Sequence, residues 1–493
     1  MTVADYKENI VSNLPKSTQI LVVGGGPAGT TAATLLAREG FDVTLFEREV
    51  FPRYHIGESL LPSSLKVLDL LGVRDKIDAY GFQYKPGGHY HWGDEHWDLN
   101  FSDLSGNVTH SYQVRRDEFD KLLLDHAKSQ GVKVFEGTEV ANLSFENERP
   151  KSATWSQTND KSQTGEIFFD FLIDATGRYG LMANRYLKNR EYHEVFQNVA
   201  IWGYWKNADR LDNGREGAII IESLKDGWLW GIPLHDGTIS VGLVVHKTIY
   251  KEKRSKSLKE IYLEGIAESL DLKRLLEPGE LASEVRSEQD YSYVADYFAG
   301  QGYFMIGDAA CFLDPLLSTG VHLATFSGLL SAASLASVLR KHITEEEAIS
   351  FFERTYKQAY LRLMAMVSAF YENSKKESYF WQAQQLTKTR QSDKDKEKLH
   401  QMFLNVVSGM EDMSDAEENS EELFLELSER LRENWSLRHK QTANDLDKTE
   451  QEKLLTSNQF VSRLNGLFSL SKESAVEGLY IVTTPQLGLA KVN

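Results

Sequence analysis

Cysteine is nearly absent: Cys311 is the one cysteine in 493 residues. A disulfide framework and a cysteine-based metal site are both excluded within one chain, and no metal ligand set is expected. Basic charge is also short, with 55 Lys and Arg against 72 Asp and Glu and a formal net charge of -17. Phosphate backbones are bound by clustered Lys and Arg, so a nucleic-acid partner is not expected. Apolar runs long enough to span a bilayer, about 18 residues, are lacking. The nearest candidate, Val321 to Leu339, carries His322, Thr325 and several serines and reads as a buried helix. The N-terminal MTVADYKENIVSNLPKS has scattered charges and no apolar h-region, so no secretory signal is expected. The expectation is a cytoplasmic protein without a membrane partner. No internal repeat is visible.

What is present is the composition of a soluble globular protein, 41% hydrophobic and 26% charged. The length allows two or three domains. Gln19 to Val23 is a short run of β-formers, followed by a glycine cluster, a helical TTAATLLAREG segment and a second strand at Phe41 to Phe46. A helix is predicted from Ser63 to Leu71, stopped by Gly72, and another from Arg116 to Gln130. Strands are predicted at Val132 to Phe135, Phe168 to Ile173 and Tyr303 to Ile306. From about Val199 to Val245 the alternation in AIWGYW, GAIIIES and TISVGLVV predicts antiparallel sheet. Beyond Glu345 the chain reads as helical and charged, and residues 388–399 and 411–422 read as solvated charge runs.

Gly24-Gly25-Gly26-Pro27-Ala28-Gly29 fits G-x-G-x-x-G between a predicted strand and a predicted helix. Gly24 permits a tight turn, Gly26 a close approach to a pyrophosphate, and Gly29 close helix–strand packing. The phosphates belong at the helix N-terminus, where free N–H groups favour anions. Glu47 ends the second strand, where a carboxylate can accept from a ribose hydroxyl. A dinucleotide is implied. NAD and FAD are not separated by these residues, and no second fingerprint marks a nicotinamide domain.

Asp174-Ala175-Thr176-Gly177 and Gly307-Asp308-Ala309-Ala310 each follow an apolar strand. With the glycine fingerprint they resemble the FAD-dependent aromatic hydroxylase superfamily. That resemblance implies FAD, with Asp308 near the ribityl and pyrophosphate part and Arg116 close to the cofactor. Two further strings narrow it. Trp228-Leu229-Trp230-Gly231-Ile232-Pro233 fits W-x-W-x-I-P, and Phe312 to Gly320 fits F-x-x-P-x-x-S-x-G through Phe312, Pro315, Ser318 and Gly320. On a strand Trp228 and Trp230 share a face, and two core tryptophans are the plain reading. The Ser318-Thr319-Gly320 turn can also be a simple helix start with Ser318 as cap. Together, however, the two strings resemble the flavin-dependent halogenases.

That family likeness implies that Trp228, Trp230, Ile232 and Pro233 keep substrate from the flavin, and that halide sits at the amides of Thr319 and Gly320. Lys85, in Phe82-Gln-Tyr-Lys85-Pro-Gly-Gly88, matches the active-site lysine of the phenol and pyrrole halogenases; Lys66 is the rival. The Gly57-Glu58-Ser59-Leu-Leu-Pro62 and Tyr371–Trp381 segments also resemble that class. Leu317 stands where tryptophan halogenases carry a glutamate, which favours phenol or pyrrole over indole. The implied activity is FADH2-dependent chlorination or bromination of an electron-rich ring through a flavin hydroperoxide and hypohalous acid. A separate flavin reductase, O2 and chloride or bromide would be required. The aromatic would be free or tethered to an acyl carrier protein. Net acidity favours a free one, with Lys388 to Lys398 the locally basic exception. His91, His55 and Tyr112 are eligible as a substrate base, and structural roles suit each as well. An NAD(P)H-dependent aromatic hydroxylase and a flavin-dependent isoprenoid reductase remain the alternatives.

The expected fold is α/β: a Rossmann-type FAD domain from residues 1–85, 110–185 and 290–345, with an inserted antiparallel substrate-side sheet from 86–109 and 186–289. A helical region is expected over 346–493.

Overall fold

A computed structural model describes residues 14–93, 95–103, 109–372 and 475–492, together with a few isolated positions before residue 475. The charge runs at 388–399 and 411–422, the Lys388–Lys398 patch and most of the Tyr371–Trp381 segment lie outside the described residues.

β1 (Ser17–Val23) enters the glycine loop, α1 (Pro27–Arg38) leaves it, and β2 (Val43–Glu47) pairs parallel with β1. Pro27 suits the first helical position because its missing N–H has no intrahelical partner there. α2 (Pro62–Leu71) stops at Gly72, whose φ of 70° is left-handed, and α3 (Arg74–Tyr80) follows. Then come β3 (Gln83–Lys85), the hairpin strands β4 (Gly87–Trp92) and β5 (Glu95–Asn100), and β6 (Ser111–Gln113). β6 pairs with β3 so that Lys85 faces Ser111. α4 (Arg116–Ser129) leads to β7 (Lys133–Glu136), β8 (Thr138–Glu146), β9 (Arg149–Gln157) and β10 (Thr164–Asp174).

A second sheet is built from β11 (Arg190–Lys206), β12 (Ile219–Ser223), β13 (Gly227–Pro233) and β14 (Ile239–His246). Short helices α5 (Lys247–Glu252), α6 (Leu258–Glu268) and α7 (Asp271–Leu276) cross from β14 to β15 (Glu280–Leu281) and β16 (Arg286–Ala295). β17 (Ala299–Gly300) and β18 (Tyr303–Met305) return to the first sheet, β19 (Cys311–Phe312) to the second. α8 (Gly320–Leu339) and α9 (Glu345–Glu372) follow, and β20 (Leu479–Val482) and β21 (Gly488–Lys491) form a terminal pair.

The first sheet has the order β17-β18-β10-β1-β2-β7, with β9 beside β10 and β8 beside β9. Its β18, β10, β1, β2 and β7 are parallel. The second has the order β19-β16-β11-β14-β13-β12-β4-β5. It is antiparallel apart from the β12–β4 pair. The mixed α/β architecture expected from the alternating patterns is therefore present.

α8 is long and apolar enough to cross a membrane by composition, but 94% of its apolar window is buried inside the fold. Its hydroxyls bond back to its own carbonyls, as Ser327 Oγ does to Leu323 O at 2.8 Å. Gly328 lets α8 press on α1: a Cβ there would lie 2.8 Å from Ala28 O. One expectation is corrected. Leu479–Lys491, placed in the helical region, is a β-hairpin docked on α8, with Leu489 N–H donating to Ser337 Oγ at 2.7 Å. The reason is local: LYIVTTP is β-branched and aromatic, and Pro485 cannot continue a helix.

Candidate active site

A cavity of about 460 Å³ opens where the glycine loop, the end of β10, the start of α8 and β13 meet. It is lined by Gly24, Gly26, Pro27, Ala28, Glu47, Arg116, Asp308, Trp228, Trp230, Ile232, Phe312, Pro315, Ser318, Thr319 and Gly320. Those are nearly all the residues singled out in the sequence. Gly29, Pro233 and Lys85 do not face it.

The glycine loop is shaped for an anion. Gly24 has φ 111°, and a Cβ there would lie 2.2 Å from Ala175 O, so only glycine fits. Gly29 is packing, as its spacing implies: a Cβ would meet Gly24 O at 1.9 Å. Gly26 differs, because a Cβ would meet only Arg53 Nη2 at 3.4 Å; its open side faces the cavity. α1 carries no side-chain cap and no acid in its first turn, which leaves its N–H groups and dipole for phosphate. Glu47 also braces the loop, accepting from Gly25 N–H at 2.6 Å and Glu49 N–H at 2.8 Å. A carboxylate has about four acceptor positions, so a ribose hydroxyl can still be taken.

Arg116 is buried and its fork is bidentate with Asp120, at 2.9 and 3.1 Å. Its Nη1 donates to the carbonyls of Ile56 and Gly57, which fixes the loop in front of Glu58. Burial pushes the Asp308 carboxyl up, against the pull of Arg178, Arg116 and Arg190. These glycines, cations and carboxylates match the chemistry of FAD: a diphosphate, a polyol and a polar ring.

Ser318 adopts the left-handed region, φ 58° and ψ 33°, an uncommon conformation for a non-glycine residue. The Ser318 cap of the simple helix-start alternative is not formed. Thr319 occupies the N-cap position of α8 and supplies no side-chain cap bond. Its Oγ1 is buried without a hydrogen-bond partner. An uncapped helix start and an unused buried hydroxyl thus border the cavity together. The turn is anchored from behind by Asp314, which accepts from Leu316 N–H at 3.1 Å, Asn198 Nδ2 at 2.9 Å and Tyr371 Oη at 2.9 Å. Burial raises the Asp314 carboxyl to about 6. Tyr371 Oη in turn accepts from Trp228 Nε1 at 2.8 Å. The tryptophan wall, α9 and the turn are one hydrogen-bonded unit, and Trp228 and Trp230 stand tilted with centroids 6.1 Å apart.

Lys85 lies behind Ser59, away from the cavity. It is 1% exposed, and Nζ donates to Ser59 Oγ at 2.7 Å and to Leu60 O at 3.0 Å. Ser59 itself lines the cavity. Burial lowers the Lys85 amine to about 7. Its strand partner Ser111 and the neighbouring Gln113 each hold a buried oxygen without a hydrogen-bond partner, so this nook has spare polar capacity. The rival Lys66 is exposed on α2.

Glu58 went unassigned in the sequence. It lines the cavity, is fully buried, and is raised to about 7 by desolvation, against hydrogen bonds from Ser240 and Tyr204. Tyr204 Oη donates to it at 2.9 Å, and Tyr54 Oη lies 3.0 Å from Tyr204 Oη. The signal was a lone acid before the apolar Leu60-Leu61-Pro62. Among the eligible bases, His55 lines the cavity and is held neutral by burial and Arg116, at about 3. Tyr112 donates to Asp78 at 2.6 Å, and His91 stands 3.7 Å from Asp271.

The chain matches the tryptophan halogenase family over residues 19–109 and 98–429. A tryptophan 2-halogenase of Chondromyces crocatus is 44% identical over 497 residues, 97% of this chain and 95% of that protein. The flavin-dependent halogenase armH2 of Armillaria mellea is 44% identical over 383 residues, 74% of each chain. Among solved structures, the myxobacterial chondrochloren halogenase CndH has a TM-score of 0.72 at 34% identity, covering 82% of this chain and 92% of its own. This chain therefore belongs to the flavin-dependent halogenases, enzymes that use FAD. The hydroxylase and isoprenoid reductase readings are set aside.

Proposed function

We propose that the enzyme installs chlorine or bromine on an electron-rich aromatic ring, a phenol or a pyrrole, using FADH2 from a separate flavin reductase and O2. The observation that carries this is Lys85: a buried amine near neutrality, hydrogen-bonded to a residue of the flavin cavity wall. Bound reduced FAD with O2 supplies the oxidising equivalent that turns halide into electrophilic halogen. Gly24, Gly26, Glu47, Arg116 and Asp308 hold the cofactor. The amides of Thr319 and Gly320, with the Thr319 hydroxyl, hold the halide. Trp228 and Trp230 wall off the organic substrate. Lys85 receives the electrophilic halogen by way of Ser59 and presents it to the ring. Glu58, near neutrality and linked to Tyr204, is placed to take or return a proton.

A tryptophan-like substrate is the second reading, favoured by the whole-length likeness to a tryptophan 2-halogenase. Leu317 weighs against it, since position 317, directly before the turn, carries no carboxylate to steer the halogen. The test is an assay with FAD, a flavin reductase, NADH, O2 and chloride or bromide. Free phenols, pyrroles, their carrier-protein thioesters and tryptophan are compared. Halogenated phenol or pyrrole is expected. Turnover of tryptophan alone would transfer the assignment to the second reading, and halide-independent hydroxylation would sink both.

A further inference from the structure

The second sheet carries a cluster that the flavin chemistry does not use. β4 and β5 pair His89 with Asp98 and His91 with His96. Directly paired residues share a sheet face, and so do residues two apart on one strand. His89, His91, His96 and Asp98 therefore converge on one face. α7 brings Asp271 onto it, and that helix start is fixed by Glu222 of β12, which accepts from the N–H groups of Asp271 and Leu272 at 3.2 and 3.3 Å.

The separations are those of a coordination shell. His89 Nε2 lies 3.2 Å from His96 Nε2 and 3.4 Å from Asp271 Oδ2. One donor atom from each of the three residues falls within 4.8 Å of the others. A tetrahedral ion bound at about 2.0–2.1 Å holds its ligand atoms about 3.3 Å apart. His91 Nδ1 stands 3.7 Å from the same Asp271 oxygen. The surroundings also fit. His89 Nδ1 is 2.6 Å from Asp98 Oδ1, and Arg215 Nη1 is 3.2 Å from Asp98 Oδ2. A carboxylate that accepts a hydrogen bond from Nδ1–H fixes the proton there and leaves the Nε2 lone pair to face inward, the usual support of a metal-bound histidine.

We propose that His89, His96 and Asp271 form a three-residue binding site for a divalent ion of the zinc class, with water in the fourth position and His91 beside the Asp271 carboxylate. None of these residues lines the flavin cavity. The ion is a structural clip: it ties the β4–β5 hairpin, which begins two residues after Lys85, to α7. The competing arrangement is a proton on His89 shared between Asp98 and Asp271, which would hold the same side chains together without metal.

Chelator-treated, FAD-loaded enzyme titrated with Zn2+ decides between them. One equivalent per chain is expected, with a Tm that rises with Zn2+. Co2+ should give the intense visible bands of a tetrahedral centre. His96→Ala, an exposed position, should abolish binding and the Tm response while halogenation without zinc is retained. Asp271→Asn should lose most of the affinity, and His91→Ala should weaken it while stoichiometry stays at one. No binding by the wild type, or binding unchanged in both His96→Ala and Asp271→Asn, overturns the site in favour of the shared proton.

Discussion

The turn at Ser318–Gly320 and the corner of Glu58 and Ser59, with Lys85 behind Ser59, lie on one cavity but are made of different material. The turn offers backbone: an uncapped helix start, with one spare hydroxyl on Thr319. The corner offers side chains whose charge is set by burial, an amine brought down and a carboxyl brought up, each to about 7. Backbone donors survive most substitutions, while a buried titratable side chain has no substitute. The two ends should therefore fail differently when mutated.

The largest expected effect is at the corner. Lys85→Ala should lower halogenated product by about 10²-fold or more, while FADH2 reoxidation continues. Stopped-flow flavin oxidation and product yield on the same samples check it; parallel loss of both would mean that Lys85 serves the flavin. Next comes the scaffold behind the turn. Tyr371→Phe leaves Trp228 Nε1 and Asp314 short of a partner and should cost about 1–3 kcal/mol, read by denaturant unfolding. At the turn itself, Thr319→Val should raise the halide KM about tenfold, the scale of one hydrogen bond to an ion. Gly320→Ala should leave it within about twofold, because a Cβ there meets nothing within 4 Å. Equal damage from both would undo the contrast between hydroxyl and backbone.

The smallest effects are the pH slopes, and they have opposite signs. Lys85 falls from an ordinary 10.5 to about 7 on folding. The unfolded chain binds the extra proton between those values, so stability rises from pH 7 toward 10.5 relative to Lys85→Met. Glu58 rises from 4.5 to about 7. The folded chain binds the extra proton, so stability falls from pH 4.5 toward 7 relative to Glu58→Gln. Tm measured across both windows reads the two signs.

Local pattern carried much of this. The strand, glycine loop and helix at Gly24–Gly29 lie where the spacing placed them, because φ and close packing at Gly24 and Gly29 are local demands. Trp228 and Trp230 share a wall because strand alternation requires it. Glu58 sat in a segment the sequence singled out but received no role, since its weight comes from Tyr204 and Ser240, which are distant in sequence. Asp314 was passed over within its own motif, because its partners Asn198 and Tyr371 lie on β11 and α9. The terminal hairpin was lost in a charged surrounding whose composition outweighed two strands of four residues each.

The sequence alone determined the cofactor class and the order of the flavin segments, and through family resemblance it singled out the halogenase strings and Lys85 over its rival Lys66. These are contiguous strings of residues whose backbone needs and side-chain types are set by neighbours a few positions away. The tertiary structure alone decided that Lys85 stands behind Ser59, that Thr319 keeps an unused hydroxyl, and that three histidines meet Asp271. Those facts depend on which strands pair and on how much water is excluded, and desolvation is a property of the packed whole.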